Sequence, residues 1–484
     1  MIHIRLEEHG GFDAPEGLDL LQALTQAGFF LDAPCGGQGK CGKCRVLVNG
    51  EPQLACRYTL TGDITVRLPQ AQDYHILAAD AAPLPCDGTN RYVLAFDIGT
   101  TTVVAALMDG HTGVQLAQAS CLNPQAQFGA DVISRIQYAL EQDKDALTDC
   151  IRSALCALTV ETAQKAGIDS TEVTLVCAVG NTAMHHLLLG LDVRPLVTPP
   201  YMPAYREATE RHGCPWLPVS PEATLRVLPN IAGFVGADTV GCLVATRFDT
   251  LRELTLLIDI GTNGEMVLGD GTHRIACSTA AGPAFEGAKI SCGMRGAAGA
   301  IDHAWVENGA LHLHVLQDIP AVGICGSGLL DLIAALLELG VLDPSGRLSG
   351  GEYRLPGTKL TLTQQDVREV QLAKAAVRAG IELLCSQLRI KTDDIRRVCL
   401  AGAFGNYLNP VSACRIGMIP PELLPKIVGI GNAAGDGARR CALSRTEFER
   451  SKTLAAQTEF LELASRPDFQ DRFVDALSFE EDEE

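Results

Sequence analysis

The feature that most restricts the fold is a segment that occurs twice. Phe96 to Gly110 reads FDIGTTTVVAALMDG, and Ile258 to Gly271 reads IDIGTNGEMVLGDG. Each copy follows an apolar run, YVLA or LTLL, places an aspartate at its end, bends through Gly-Thr and enters a second strand-like run. Short apolar runs bounded by glycine predict buried strands. A carboxylate at a strand end, followed by a turn of amides and hydroxyls, is equipped to organise hydrated magnesium or an attacking water and to cradle phosphate oxygens. One Asp-x-Gly-Thr turn is common. Two of them, with aspartates 162 residues apart, predict a duplicated lobe and a clamp on one nucleotide. Asp97 and Asp259 are the expected organisers of magnesium and water, with Gly99, Thr100, Thr101, Thr102, Gly261, Thr262 and Asn263 around the phosphates.

The N-terminal region carries different chemistry. Gly37 to Cys44, GQGKCGKC, comes within one residue of a phosphate-binding P-loop, but Cys44 stands where a magnesium-ligating hydroxyl is needed. The next residues form an alternating run ending in Asn49-Gly50, a hairpin signal where a P-loop demands a helix. The hairpin returns Cys56 towards Cys44, so Cys35, Cys41, Cys44 and Cys56 form C-x5-C-x2-C-x11-C, a metal site of four thiolates. Plant-type 2Fe-2S loops have one residue fewer in the first gap. Gly36, Gly37, Gly39 and Gly42 suit a loop wrapped around a cluster, because glycine accepts positive φ. Zinc and a plain structural cysteine cluster are the rival readings, although four-cysteine zinc sites favour two short-spaced pairs. The layout resembles the β-grasp 2Fe-2S ferredoxins, and its hairpin before the last cysteine is similar to the cluster domain of the succinate dehydrogenase and fumarate reductase iron-sulfur subunits.

A chain of 484 residues with 47% hydrophobic content predicts two to four packed domains. A net charge of −19 argues against nucleic acid as a partner. The start MIHIRLEE has no apolar signal-peptide core, and the longest apolar stretch, GLLDLIAALLELGVL, carries Asp331 and Glu338 and fits a buried or amphipathic helix. The expectation is a cytoplasmic protein without a membrane span. Of eighteen cysteines, the fourteen outside the four-thiolate set show no paired spacing and read mostly as small buried residues, and so many free thiols beside a cluster suggest a reducing, anaerobic setting. The expected division is a β-grasp domain over 1–68, a linker over 69–91 that contains Cys86, a first lobe over 92–250, a second over 251–465 and an acidic tail over 466–484.

The duplicated turns resemble the two phosphate motifs of the superfamily of acetate and sugar kinases, heat-shock chaperones and actin (ASKHA). Further stretches follow in that superfamily's order. VCAVGNTAMHHL (176–187), with Gly180 and Asn181, is similar to the first connecting motif; VCLAGAFGNY (398–407), with Gly402, Ala403 and Gly405, to the adenosine motif; and VGIGNAAGDG (428–437) to the second connecting motif. The resemblance implies an α/β actin-like ATPase of duplicated ribonuclease H-like lobes following the α+β ferredoxin domain. Asn181 stands where some relatives supply an acid, which leaves any additional catalytic acid unassigned. TAAGPAFEGAKIS (279–291) and GICGSGLLDL (323–332), the latter with Gly326 and Ser327, either approach the nucleotide or form close-packing turns. His185 and His186 read as helix residues, with no acid or cysteine at ligand spacing.

A 2Fe-2S domain followed by such an ATPase resembles the reductive activators of corrinoid proteins. That resemblance implies ATP-dependent one-electron reduction of Co(II) to Co(I) in a corrinoid protein of a methyltransferase system, with ATP, Mg2+ and a 2Fe-2S cluster as cofactors. It also implies a low-potential electron donor, with a homodimer left open. The competing readings are an activator of a radical dehydratase, a small-molecule kinase, and a chaperone-like ATPase with a structural zinc.

Overall fold

The computed structural model describes residues 1–7, 10–27, 29, 31, 37, 39, 44–68, 82–129, 131–405, 407–463 and 466–479. Cys35, Gly36, Cys41, Gly42 and the linker stretch 69–81 lie outside them.

The N-terminal unit is a five-stranded sheet. Ile2–Leu6 lies between antiparallel Gly10–Ala14 and parallel Ile64–Arg67, and Ile64–Arg67 also pairs with the first arm of the hairpin Arg45–Val48/Glu51–Leu54. Asn49 and Gly50 both have positive φ, the turn that Asn-Gly favours because it matches strand twist. One helix, Leu20–Gln26, is capped by Asp19 and packs Leu20 and Leu24 against Ile4, Leu60 and Val66. This is the β-grasp order, and it places Cys44 and Cys56 at one end of the hairpin.

The two copies of the repeated segment fold alike. In the first, Tyr92–Ile98 pairs antiparallel with Thr102–Asp109 and parallel with Val173–Gly180, which in turn pairs parallel with Thr224–Val227. In the second, Thr255–Ile260 pairs antiparallel with Gly264–Gly269 and parallel with Arg397–Ala401, itself parallel to Ile427–Gly431. Each aspartate therefore sits beside the strand that leads into the next motif. Helices Ala237–Ala245 and Ala433–Leu443 join the two sheets through a shared core that includes Val93, Val179, Leu257 and Cys399. They touch backbone to backbone: a Cβ on Gly437 would lie 2.1 Å from the Gly241 carbonyl oxygen, so both positions require glycine.

The end of the linker is clasped by both lobes. The Leu84 amide donates to the Gly113 carbonyl in the first lobe (3.0 Å), while the Asp87 amide donates to the Leu443 carbonyl in the second (3.0 Å). The Asp87 carboxylate also accepts from Ser444 Oγ (2.9 Å) and the Arg445 amide (2.5 Å) at the start of helix Arg445–Ala456.

The expected acidic tail is a correction. Pro467–Asp475 is a helix against Gln364–Leu388, Gln371 Nε2 donates to the Leu477 carbonyl, and Phe479 is buried against Lys374. The acidic composition concealed Phe469, Phe473 and Phe479, which supply apolar surface. The apolar stretch 328–342 is helical through Glu338, with Asp331 buried and accepting from Ser412 Oγ (2.5 Å). Among the described residues no helix is long and apolar enough to cross a membrane.

His185 and His186 are buried on helix Thr182–Leu189. Neither ring nitrogen of His185 has a hydrogen-bond partner among the described residues, and burial, with the charge of His186 adding, pushes its pKa down to about 3. A folded-state pKa below the unfolded value contributes stability that is complete above about 6.5 and is lost as pH falls. The expected cost at pH 5 is about 2 kcal/mol from His185. Urea unfolding of the wild type and of His185→Leu at pH 7.5 and 5.0 checks this. An equal pH dependence in both would overturn it.

Candidate nucleotide cleft and candidate metal centre

The two strand-end aspartates face a common cleft floored by carboxylates. Asp97 Oδ2 accepts from Asn432 Nδ2 (2.8 Å), which also caps the helix Ala433–Leu443. Asp259 Oδ2 accepts from Cys242 Sγ (3.6 Å). Burial pushes Asp97 up to about 6, opposed by the Asn432 bond and aided by the charge of Asp259; burial pushes Asp259 to about 6 as well. Asp238 and Glu265 join them. Burial raises Asp238, with the charges of Asp259 and Asp97 adding, and burial raises Glu265, with Asp238 and Asp259 adding. The charges within this group raise the pKa values of Asp97, Asp238 and Glu265, but among the described residues no three acidic, histidine or cysteine side chains are gathered closely enough to hold a metal ion by themselves.

Above this floor the two Gly-Thr turns converge. Thr101 Oγ1 and Thr262 Oγ1, one from each lobe, are 3.4 Å apart. Glu286 joins them, accepting from Thr101 Oγ1 at Oε2 (2.5 Å) and from Thr262 Oγ1 at Oε1 (2.9 Å). Gly99 and Gly261 form the tight starts of the turns, their amides donating to the carbonyls of Thr102 and Asn263. Thr100 is turned inward, where its hydroxyl accepts from Asn181 Nδ2 (2.9 Å), and Thr102 opens the second strand. Asn263 bonds Glu265 through its side chain.

Gly180 ends its strand where a Cβ would press to 2.7 Å from the Ile98 carbonyl oxygen, and Asn181 caps the next helix. Gly402, at φ +90°, passes so close to Asp259 that a Cβ would lie 2.6 Å from Oδ1, and it opens the short helix Gly402–Gly405 that contains Ala403. This residue is therefore glycine for the sake of the aspartate. Gly326 and Ser327 begin helix Gly326–Glu338, with Ser327 Oγ 3.3 Å from Cys325 Sγ, and the neighbouring Gly328 packs against the Ile301 carbonyl. In that stretch the contacts are those of a close-packing turn. In the other open stretch, 279–291, Glu286 reaches the threonines of both turns.

Three residues escaped the motif reading. Glu286 lies outside the repeat. Asp238 lies on helix Ala237–Ala245, and the corresponding position on helix Ala433–Leu443, counted from the caps Gly236 and Asn432, is Ala434, so no repeat marks it. Arg135 is fully buried behind the first turn, with Nη2 donating to the Thr100 carbonyl (2.6 Å) and Nε to Gly129 (2.9 Å). Burial lowers its pKa to about 10, so it keeps its charge at neutral pH and adds a positive field under the turn.

In the N-terminal domain, Cys44 is buried on the hairpin and Cys56 lies in the 3-10 turn Ala55–Arg57, their Sγ atoms 3.2 Å apart. That separation is too long for a disulfide and close to the ~3.7 Å between two thiolates on one tetrahedral metal with bonds of about 2.3 Å. Gly37 and Gly39 have positive φ, and a Cβ on Gly39 would strike the Arg57 guanidinium at 2.2 Å. These residues fit one half of a four-thiolate site.

Three family models cover the chain in order: a 2Fe-2S iron-sulfur cluster binding domain at 7–65, the RACo middle region at 92–251, and the C-terminal domain of RACo, the ASKHA domain, at 253–484. The corrinoid activation enzyme RamQ of Eubacterium limosum is 36% identical over 413 residues, covering 79% of this chain and 69% of that protein. A Co(II) methylated amine-specific corrinoid protein reductase of Methanosarcina barkeri is 27% identical over 425 residues, covering 80% and 77%. The solved structure of a reductive activator for corrinoid, iron-sulfur protein superposes with a TM-score of 0.74 at 27% identity, over 99% of this chain and 98% of that one.

Proposed function

Because the chain belongs to the family of reductive activators of corrinoid proteins, we propose that it returns a Co(II) corrinoid protein to Co(I) by one-electron reduction coupled to ATP hydrolysis. The observation that carries this reading is the cleft. Two carboxylate-bearing Gly-Thr turns, one per lobe, meet within 3.4 Å on a chain that also brings two cluster-type cysteines together.

Cys35, Cys41, Cys44 and Cys56 would hold a 2Fe-2S cluster, which when bound carries one electron at a time at about −400 mV in plant-type sites. A low-potential donor supplies that electron, and the corrinoid cobalt is the substrate that accepts it. Each 59 mV by which the acceptor lies below the donor costs a factor of about ten in one-electron yield, so reduction needs a second energy source.

In the cleft, Thr101 and Thr262 donate their hydroxyls to phosphate oxygens, and the Gly99 and Gly261 turns bring backbone close to them. Asp97 and Asp259 would orient water and hydrated Mg2+, which when bound offsets phosphate charge. Gly402, Ala403 and Gly405 would face the adenosine. ATP can alter the acceptor's reduction only by favouring a different state of the complex. The clasped linker end provides a physical route: a change in the angle between lobes acts on Leu84 and Asp87 together, and so on the segment leading to the cluster domain.

The test is EPR and visible spectroscopy of the anaerobically purified protein with a Co(II) corrinoid protein and reductant, with and without ATP. The expected result is loss of the Co(II) signal only when ATP is present. Retention of the signal, with a reducible cluster in place and the partner varied, would turn the reading towards activation of a different metalloenzyme, such as a radical dehydratase.

A further inference from the structure

Glu286 holds both phosphate turns with a single carboxylate. Thr101 Oγ1 and Thr262 Oγ1 belong to opposite lobes, and each donates to a different oxygen of the same group, at 2.5 and 2.9 Å. A threonine hydroxyl has one hydrogen to donate. While those hydrogens point at Glu286 they cannot point at a phosphate, so the two acceptors exclude one another at these donors. An anionic carboxylate also repels an incoming phosphate. Hydrogen bonds of this length to a charged oxygen belong to the strong class, so the competition carries weight.

The surrounding backbone fixes where the carboxylate starts. Glu286 ends the short turn Pro283–Glu286, which is bracketed by Gly282 and Gly287 at φ +75° and +72°. A Cβ on Gly282 would meet nothing within 4 Å, whereas one on Gly287 would press to 2.7 Å from Met294 backbone atoms. The backbone is therefore fixed at Gly287, beside Glu286, while there is open space at Gly282. Ala284 and Phe285 hold the turn in the second-lobe core, so the carboxylate leaves by rotation of the half-buried Glu286 side chain, without moving either strand.

We propose that Glu286 is a positioning residue that holds the place of the nucleotide's terminal phosphate, pinning the two lobes in register through Thr101 and Thr262 until a triphosphate displaces it. This rests on reading the cleft as a nucleotide site. The experiment is calorimetric titration of full-length wild type, Glu286→Ala and Glu286→Gln with ADP and with the non-hydrolysable triphosphate AMPPNP in Mg2+, alongside kcat and KM for ATP. Glu286→Ala is expected to bind the triphosphate about tenfold tighter, with ADP affinity unchanged. Glu286→Gln, which keeps the size but loses the charge, is expected to fall between. A merely structural glutamate would weaken binding when removed, and that result overturns the proposal. Equal tightening for ADP and triphosphate overturns the assignment to the terminal phosphate. A collapse of kcat at constant KM overturns it in favour of action on the attacking water. Wild type that binds neither nucleotide overturns the cleft reading itself, an outcome distinct from all of these.

Discussion

Asp259→Asn is expected to lower ATP turnover by about 10²–10³-fold, in a variant that folds and retains its iron. The carboxylate sits at the end of strand Thr255–Ile260, hard against Gly402, where asparagine matches it in size. The substitution removes charge without removing volume. Losing one anionic contribution to the cation and to the orientation of water in a water-poor site costs about 10²–10³ in rate in comparable cases. The same change relieves repulsion: the charge of Asp259 raises the pKa values of Asp97, Asp238 and Glu265. In the absence of nucleotide the variant should therefore melt at a temperature no lower than the wild type. A fall in stability together with activity would mean that Asp259 is mainly a structural residue. Undiminished turnover would remove it from the mechanism.

The parts of this molecule that were legible in the sequence are those whose physics is local. An apolar strand ending on Asp and turning through Gly-Thr leaves a pattern in a dozen residues, and its repetition exposed both lobes and the cleft between them. Asn49-Gly50 marked the hairpin in the same way, because two positive φ angles in succession admit few residues. Glu286 and Arg135 left no such trace. They reach the Gly-Thr turns only through tertiary packing, and a lone Glu in PAFEG or a lone Arg on helix Val132–Glu141 reads as solvated charge. Asp238 left no trace either: the Gly241/Gly437 contact aligns 236–241 with 432–437, and in that register Asp238 corresponds to Ala434. The segment after residue 466 misleads for a related reason. Charge dominates its composition, while burial is decided by the few aromatic residues that meet Gln364–Leu388.

Cys56→Ser should abolish the visible absorption of the purified protein and most of its iron and acid-labile sulfide. Its Sγ stands 3.2 Å from that of the buried Cys44, on a 3-10 turn held to the hairpin by the Ala55 amide donating to the Cys44 carbonyl (2.8 Å). A serine oxygen there is both closer to its own Cβ and far harder to deprotonate than a thiol, and the thiolate is the metal-binding form. Cys41→Ser is expected to behave alike if all four cysteines act as one site. The ATPase cleft is assembled on other sheets from other residues, so ATP hydrolysis should persist in both variants while ATP-dependent loss of the Co(II) signal disappears. That separation distinguishes the readings that share this chain's fold. A small-molecule kinase would keep its activity without the cluster, and a chaperone-like ATPase would contain zinc without sulfide from the outset. A reductive activator requires that hydrolysis survive the substitution and that reduction not survive it. Absorption unchanged from wild type would exclude Cys56 as a ligand and with it the four-thiolate site.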